Sequence, residues 1–203
     1  NHTVTVSDAA GCITAVISVN VPVGPQLTAT ATKTDVLCNG GNTGTITVNN
    51  PTPGTAPYQY SLDNVTWQAS NVFNGLTAGA YTVYFNEANG CSGSLNINVN
   101  EPMALTATTA TVPVVCNGEN NGTITVTPSG GVTPYEYSID GGTTWQAGNT
   151  FTVAAGTYTI TIRDFNGCTR TENVNVTEPA LLTAASVNGN ATCDGGNDGI
   201  ITV

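Results

Sequence analysis

The chain has 203 residues, with 3 Lys or Arg against 13 Asp or Glu and a formal net charge of −10. Only 8% of it is charged, against about 25% in an ordinary soluble domain, and polarity comes instead from 36 Thr and 24 Asn beside 23 Gly. Three cations cannot form a phosphate-binding footprint or a basic membrane-surface helix, and no apolar run reaches the length of a bilayer span, so nucleic acid and membrane insertion are excluded as partners.

In chain order, the first elements form a partial unit. His2, Val4 and Val6 alternate with polar residues, as on the inner face of a half-buried strand, and a turn at Ala10-Gly-Cys12 follows. His2 stands where later copies carry Tyr, and is read as a structural residue rather than a ligand. A short join at Val23-Gly-Pro25 leads into Leu37-Cys-Asn-Gly-Gly-Asn-Thr-Gly-Thr-Ile-Thr-Val48. That segment returns as Val115-Cys-Asn-Gly-Glu-Asn-Asn-Gly-Thr-Ile-Thr-Val126 and again at 192–203. Tyr58-Gln-Tyr-Ser-Leu-Asp63 matches Tyr135-Glu-Tyr-Ser-Ile-Asp140, and Thr66-Trp-Gln-Ala69 matches Thr144-Trp-Gln-Ala147. Ala78-Gly-Ala-Tyr-Thr-Val83 matches Ala155-Gly-Thr-Tyr-Thr-Ile160. Cysteines mark the period twice, at 38, 116 and 193 and at 12, 91 and 168.

A repeat at a fixed period decides the architecture before any single motif does. We expect the C-terminal part of one repeat at 1–24, complete repeats at 25–102 and 103–179, and the start of another at 180–203. The joins Glu101-Pro102 and Glu178-Pro179 are short, and Pro stiffens them. With neither initiator Met nor signal peptide, the chain is expected to be a window on a longer protein.

Within the second complete repeat the alternation predicts strands near 104–112, 122–127, 134–139, 143–147, 149–153, 156–164 and 168–177, parted by Asn-Gly and Gly-Gly turns. Short strands at this spacing with no helix between them imply an all-β fold: tandem Ig-like antiparallel β-sandwiches of about 78 residues arranged end to end. Tyr58, Tyr60, Trp67, Tyr81 and their counterparts Tyr135, Tyr137, Trp145, Tyr158 are the expected aromatic core.

The set Cys-Asn-Gly-x-Asn-x-Gly-x-Ile-Thr-Val, Pro-Tyr-x-Tyr-Ser, Ala-Gly-x-Tyr-Thr and Asn-Gly-Cys resembles the SprB repeat of giant Bacteroidota surface proteins, including gliding-motility adhesins. The resemblance implies export by the type IX secretion system, an extracellular, cell-surface location and no catalytic residues.

Cys12, Cys38, Cys91, Cys116, Cys168 and Cys193 are disulfide candidates, because an acidic, Thr-rich chain of this kind suits an oxidising compartment. In an Ig-type strand order the first Cys of a repeat lies at the opposite end from its second, roughly 20–30 Å away, whereas a disulfide needs Cα atoms within about 7 Å. The preferred pairing is therefore Cys38–Cys168, across the junction, with the remaining Cys pairing to repeats outside the chain. Pairing inside each repeat, Cys38–Cys91 with Cys116–Cys168, is the alternative. Zinc is disfavoured by the lack of Cys-x-x-Cys or a nearby His.

Oxygen-rich loops at Asp140-Gly-Gly142 and Asp194–Asp198 offer calcium ligands, but turn propensity accounts for them and they are read as turns. The Asn-x-Thr sequons at Asn1, Asn64, Asn121, Asn175 and Asn190 are weak signals in so Asn- and Thr-rich a chain. Thr28-Ala-Thr-Ala-Thr32 is read as the wet face of a strand rather than a ligand-binding ladder. Tyr84 with Phe85 gives no sugar platform, since alternation sends one of them inward. No catalytic set, cofactor or metal site is expected. The function expected is a structural stalk or filament of an extracellular adhesin, whose partners are neighbouring repeats of the same chain. The alternatives are a module array that binds surface glycans or copies of itself, and accessory β-domains of a secreted hydrolase.

Overall fold

A computed structural model of the protein describes residues 2–19, 24–189 and 200–202. Cys193, the Asp194–Asp198 loop, the sequons at Asn1 and Asn190 and the side chain of His2 lie outside the described residues. Every regular element described is a strand, and the chain forms two compact units: Asn1–Val36 with Asn42–Asn100, and Leu37–Gly41 with Glu101–Val203.

In the first unit, β1 (His2–Ser7) and β2 (Ile13–Val19) form an antiparallel hairpin. Two three-stranded antiparallel sheets follow. One has the order β3 (Ala31–Thr34), β4 (Gly44–Val48), β6 (Val72–Leu76). The other has the order β5 (Gln59–Ser61), β7 (Gly79–Asn86), β8 (Ser92–Val99). Both sheets feed one core in which Ile46 and Val48 meet Tyr60, Val83, Phe85 and Val99.

The second unit repeats the plan. β9 (Thr106–Val112), β10 (Gly122–Ser129) and β12 (Thr150–Val153) form one sheet, and β11 (Glu136–Ser138), β13 (Gly156–Arg163) and β14 (Thr169–Val176) the other. A hairpin of β15 (Val187–Gly189) and β16 (Ile200–Thr202) lies beyond them in the chain. Its core gathers Ile124, Val126, Tyr137, Ile160, Ile162 and Val176. Each such side chain, fully withdrawn from water, contributes about 1.5–3 kcal/mol. The expected tandem all-β modules of Ig-like size are thus borne out, with six paired strands in each.

The Thr and Asn that replace charge on the surface bond to each other across strands. Thr82 Oγ1 donates to Asn96 Oδ1 at 2.9 Å, Thr159 to Asn173 at 2.8 Å and Thr157 to Asn175 at 3.4 Å, each pair directly opposite in the β7–β8 or β13–β14 ladder. Such pairs support a sheet as ion pairs would, without salt sensitivity. The hydroxyl of Tyr158 donates back to Ala154 O at 3.1 Å, and that of Tyr81 to Thr77 O at 2.9 Å, pinning the start of β13 and β7 in the manner of a tyrosine corner.

Three expectations are corrected. Residues 143–147 form a bend with a single bridge, Tyr137 to Gln146, rather than a strand. The Asp140 carboxylate draws the N–H groups of Thr143 and Thr144 onto itself, which curls the chain away from a ladder. Trp67 and Trp145 are half-exposed and belong to neither core cluster, because both follow this turn outside the sheets. Tyr60 and Tyr137 are buried in the cores, and Tyr58, Tyr81, Tyr135 and Tyr158 pack against their edges. Val4 and Val6, assigned to an inner face, are about half exposed at 49% and 51%; no second sheet covers β1 and β2 among the described residues.

Candidate functional site: the cysteine loops and the Glu-Pro joins

Among the described residues two kinds of loop carry the cysteines, and the copies of each share their main hydrogen bonds. The first is the turn between the last two strands of a sandwich. In the second unit Asp164, only 4% exposed, accepts N–H groups from Val132, Asn166 and Cys168, all at 2.9 Å. The turn closes with Gly167 N–H donating to Asp164 O, and Gly167 takes φ +82° there, a conformation Gly adopts without the penalty of a Cβ. In the first unit Glu87, 6% exposed, plays the same part for Thr55 N, Asn89 Nδ2 and Cys91 N. Asp8 accepts from Ala10 N and Cys12 N in the N-terminal hairpin.

Sequence reasoning missed these three acids. Their signal was present: an Asp or Glu stands four residues before each of Cys12, Cys91 and Cys168. A buried carboxylate that accepts several N–H groups keeps its charge despite desolvation. For Glu87 burial works to raise the pKa, and the donors from Thr55, Asn89 and Cys91 outweigh it, so the net shift is downward. The same carboxylate acts on the Cys91 thiol. Its hydrogen bond, burial and the negative charge together push that pKa up, which disfavours the reactive thiolate.

The second kind is the Cys-Asn-Gly loop, and it grips a Glu-Pro join. Asn39 Nδ2 donates to Pro102 O at 3.0 Å, and Gly40 N to Glu101 Oε2 at 2.6 Å. One repeat later Asn117 Nδ2 donates to Pro179 O at 3.1 Å, and Gly118 N to Glu178 Oε2 at 2.8 Å. Read from sequence, Asn-Gly is a turn signal and Glu-Pro a stiff linker; the structure makes them partners. The backbone N–H that meets the carboxylate belongs to a Gly with φ +73° or +82°.

Cys38 and Cys168 form a disulfide, with Cα atoms 5.6 Å apart. Asn166 Nδ2 donates to Leu37 O at 2.9 Å beside it. Residues 37–41, which the repeat assigns to the first module, accordingly pack with the second compact unit. Cys12, Cys91 and Cys116 are exposed free thiols. Cys91 and Cys116 therefore form neither of the bonds that pairing inside each repeat requires.

Asp63 and Asp140 hold tight turns. Asp140 accepts from the hydroxyl of Thr144 at 2.6 Å, from the N–H groups of Thr144 and Thr143, and from Ser138 Oγ. Those donors, Thr144 first, hold its carboxyl far below the usual range. Thr66 and Val65 N–H with Ser61 Oγ do the same for Asp63. The Asp140 oxygens considered for calcium are thus engaged by the chain's own donors. Among the described residues no group of three or more His, Cys, Asp or Glu side chains could hold a metal ion, and no helix is long and apolar enough to cross a membrane.

Two segments, residues 30–66 and 108–144, match the sequence profile of the SprB repeat. These two segments are SprB repeats. Each holds its Cys-Asn-Gly loop and its Ser-x-Asp turn. No curated protein matches the chain in sequence. Among solved structures, the three N-terminal domains of the bacteriophage RB49 highly immunogenic outer capsid protein are similar at 16% identity and TM-score 0.43. That match covers 75% of this chain, which spans 59% of that one. A 282-residue C-terminal fragment of intimin gives 17% identity and TM-score 0.40, over 81% of this chain and 67% of that one. Domains 4 and 5 of the S-layer protein SbsC give 18% and 0.33, over 75% of this chain and 100% of that one.

Proposed function

We propose that these SprB repeats are the spacer modules of an extracellular surface stalk or filament, and that their work is mechanical rather than catalytic. The observation that carries the reading is the repetition of the joint. The same Asn and the same Gly N–H bind the same Glu-Pro join at Glu101-Pro102 and at Glu178-Pro179. A linker whose Pro fixes φ and whose carbonyl and carboxylate are both held has little freedom to bend. The disulfide adds a covalent bond from the Cys-Asn-Gly loop of one repeat to the Asn-Gly-Cys turn of the next.

In this reading Cys12, Cys91 and Cys116 are unpaired halves of further joints. Cys116 lies in a loop bonded as that of Cys38, and Cys91 in a turn bonded as that of Cys168. Each would bond to a neighbouring repeat in a longer array, and in such arrays stability sums over modules and joints. Disulfides fit the oxidising exterior of a cell, and in this reading the modules run over 25–102 and 103–179. Electron microscopy of the native full-length protein tests the proposal. A thin fibre with a regular repeat of one module supports it, and compact particles contradict it.

A further inference from the structure

Trp67 lacks the hydrogen bond and the cation contact that hold its counterpart Trp145. The guanidinium of Arg163 lies 4.1 Å from its ring centroid, Arg163 is bound to Glu136 at 2.7 Å, and the indole N–H donates to Gly142 O at 2.9 Å. In the first unit the cross-strand pair equivalent to Glu136 and Arg163 is Gln59 and Asn86, and the unit's only Lys or Arg, Lys33, is bound to Asp35. The loop is also one residue shorter. Asn64, at φ +59°, stands where the second unit has Gly141-Gly142.

Two grooves of ≈ 580 and ≈ 340 Å³ lie beside this loop, and Trp67, Asn64 and Ser92 line both; the second unit has a groove of ≈ 570 Å³ at the equivalent place, lined by Glu136 and Arg163 but not by Trp145. Tyr58, Gln59 and Asn86 complete the larger one, and Tyr84, Gln26 and Ser94 the smaller. The side-chain amides of Gln59, Asn64 and Asn86 and the indole N–H of Trp67 have no hydrogen-bond partner among the described residues. Two other amides of the same loop region are engaged: Gln68 binds Ser70 O and Val72 O, and Asn71 binds Val48 O. Glu87 is the one carboxylate lining the grooves, and both its oxygens are held by Thr55, Asn89 and Cys91.

We propose that this cleft binds a neutral oligosaccharide, with a pyranose ring stacked on Trp67 and its hydroxyls paired to Gln59, Asn64 and Asn86. An amide donates and accepts at once, which matches a pair of adjacent hydroxyls. An indole offers an apolar face with a polar N–H at its edge. The cleft has no cation to attract an anionic sugar, and the net charge of −10 repels one. The proposal does not depend on the stalk reading, since a mechanical module has no use for four free hydrogen-bonding groups around a tryptophan. It also separates the two units: the first binds and the second, with Arg163 over Trp145, does not.

The test uses the whole chain titrated with cellopentaose, laminaripentaose, mannopentaose and chitopentaose. In W145F, Trp67 is the sole Trp and its emission reports binding directly. A saturable blue shift with at least one of these sugars is expected, and a galacturonate pentamer should give none. By calorimetry, W67A should weaken binding at least about tenfold, and W145A should leave it unchanged. The double substitution Q59E/N86R, which installs the second unit's ion pair over Trp67, should abolish binding with the fold intact by circular dichroism. Absence of saturable binding to all four sugars, or binding that survives in W67A or Q59E/N86R, overturns the proposal.

Discussion

The two units share a scaffold and differ at its rim. Ile46, Val48, Val83 and Phe85 in the first correspond to Ile124, Val126, Ile160 and Ile162 in the second, and all are fully buried. Around them the cross-strand pair Gln59–Asn86 becomes Glu136–Arg163, Glu87 becomes Asp164, and Cys91 carries a thiol where Cys168 carries a disulfide. Even an extra residue is absorbed locally. The first unit has Asn74-Gly75 between Phe73 and Leu76 where the second has only Thr152, and the β4–β6 ladder takes it up as a bulge with Gly75 at φ +72°. Interior packing tolerates little change in volume, whereas a rim that touches water can be rewritten. Repeats of one protein can thus share a packed frame and carry different surfaces.

The largest expected effect breaks the frame. Ile124→Ala should cost about 2–5 kcal/mol by leaving a cavity between the two sheets of the second unit. Calorimetry should show one transition falling and the first unit's staying in place; a common fall would mean that the units unfold together. Next comes the acid beneath the cysteine turn. Asp164→Ala orphans three backbone N–H groups and should cost about 3 kcal/mol. Glu87→Ala should lower the melting temperature less, because one of its donors is a side-chain amide that can turn to water and another, Cys91 N, is 3.3 Å away.

Acid should weaken both units through Asp63 and Asp140. Their folded pKa values lie well below the unfolded value of about 3.9. Their stabilisation is therefore fully present above pH 5 and is lost as the pH falls through 4 toward the folded values. Melting temperature should be level from pH 8 to 5 and drop below 4, and Asp140→Asn should flatten that drop in the second unit alone. The smallest effect concerns reactivity. Glu87→Gln weakens the hydrogen bond, and removes the charge, by which Glu87 raises the Cys91 pKa, and should speed alkylation of Cys91 at neutral pH without changing the rate at Cys116.

The strand pattern was legible because alternation of Thr with Ile, Val and Tyr leaves only one face able to pack. The repeat gave the modules because the same turn residues return in register. The roles of Asp8, Glu87 and Asp164 were not read, although their spacing from Cys is constant. A lone acid beside a turn looks like solvated polarity until the fold brings Thr55 N or Val132 N over it. The tryptophans misled for the opposite reason. Size argues for burial, but each follows a Ser-x-Asp turn whose carboxylate curls the chain out of the sheet. Only the third dimension shows Arg163 over one indole and Asn86 in its place near the other.

Single-molecule stretching of the whole chain from its two ends tests the mechanical account most directly. Cys38 and Cys168 are 130 residues apart in sequence, so the bond shields nearly the whole of both sandwiches from the load. Reduction should lengthen the fully stretched chain by about 470 Å, at ~3.6 Å per residue, and should add unfolding events that the oxidised chain lacks. Equal extension with and without reductant would contradict the account, because the load would then never have been carried by that bond.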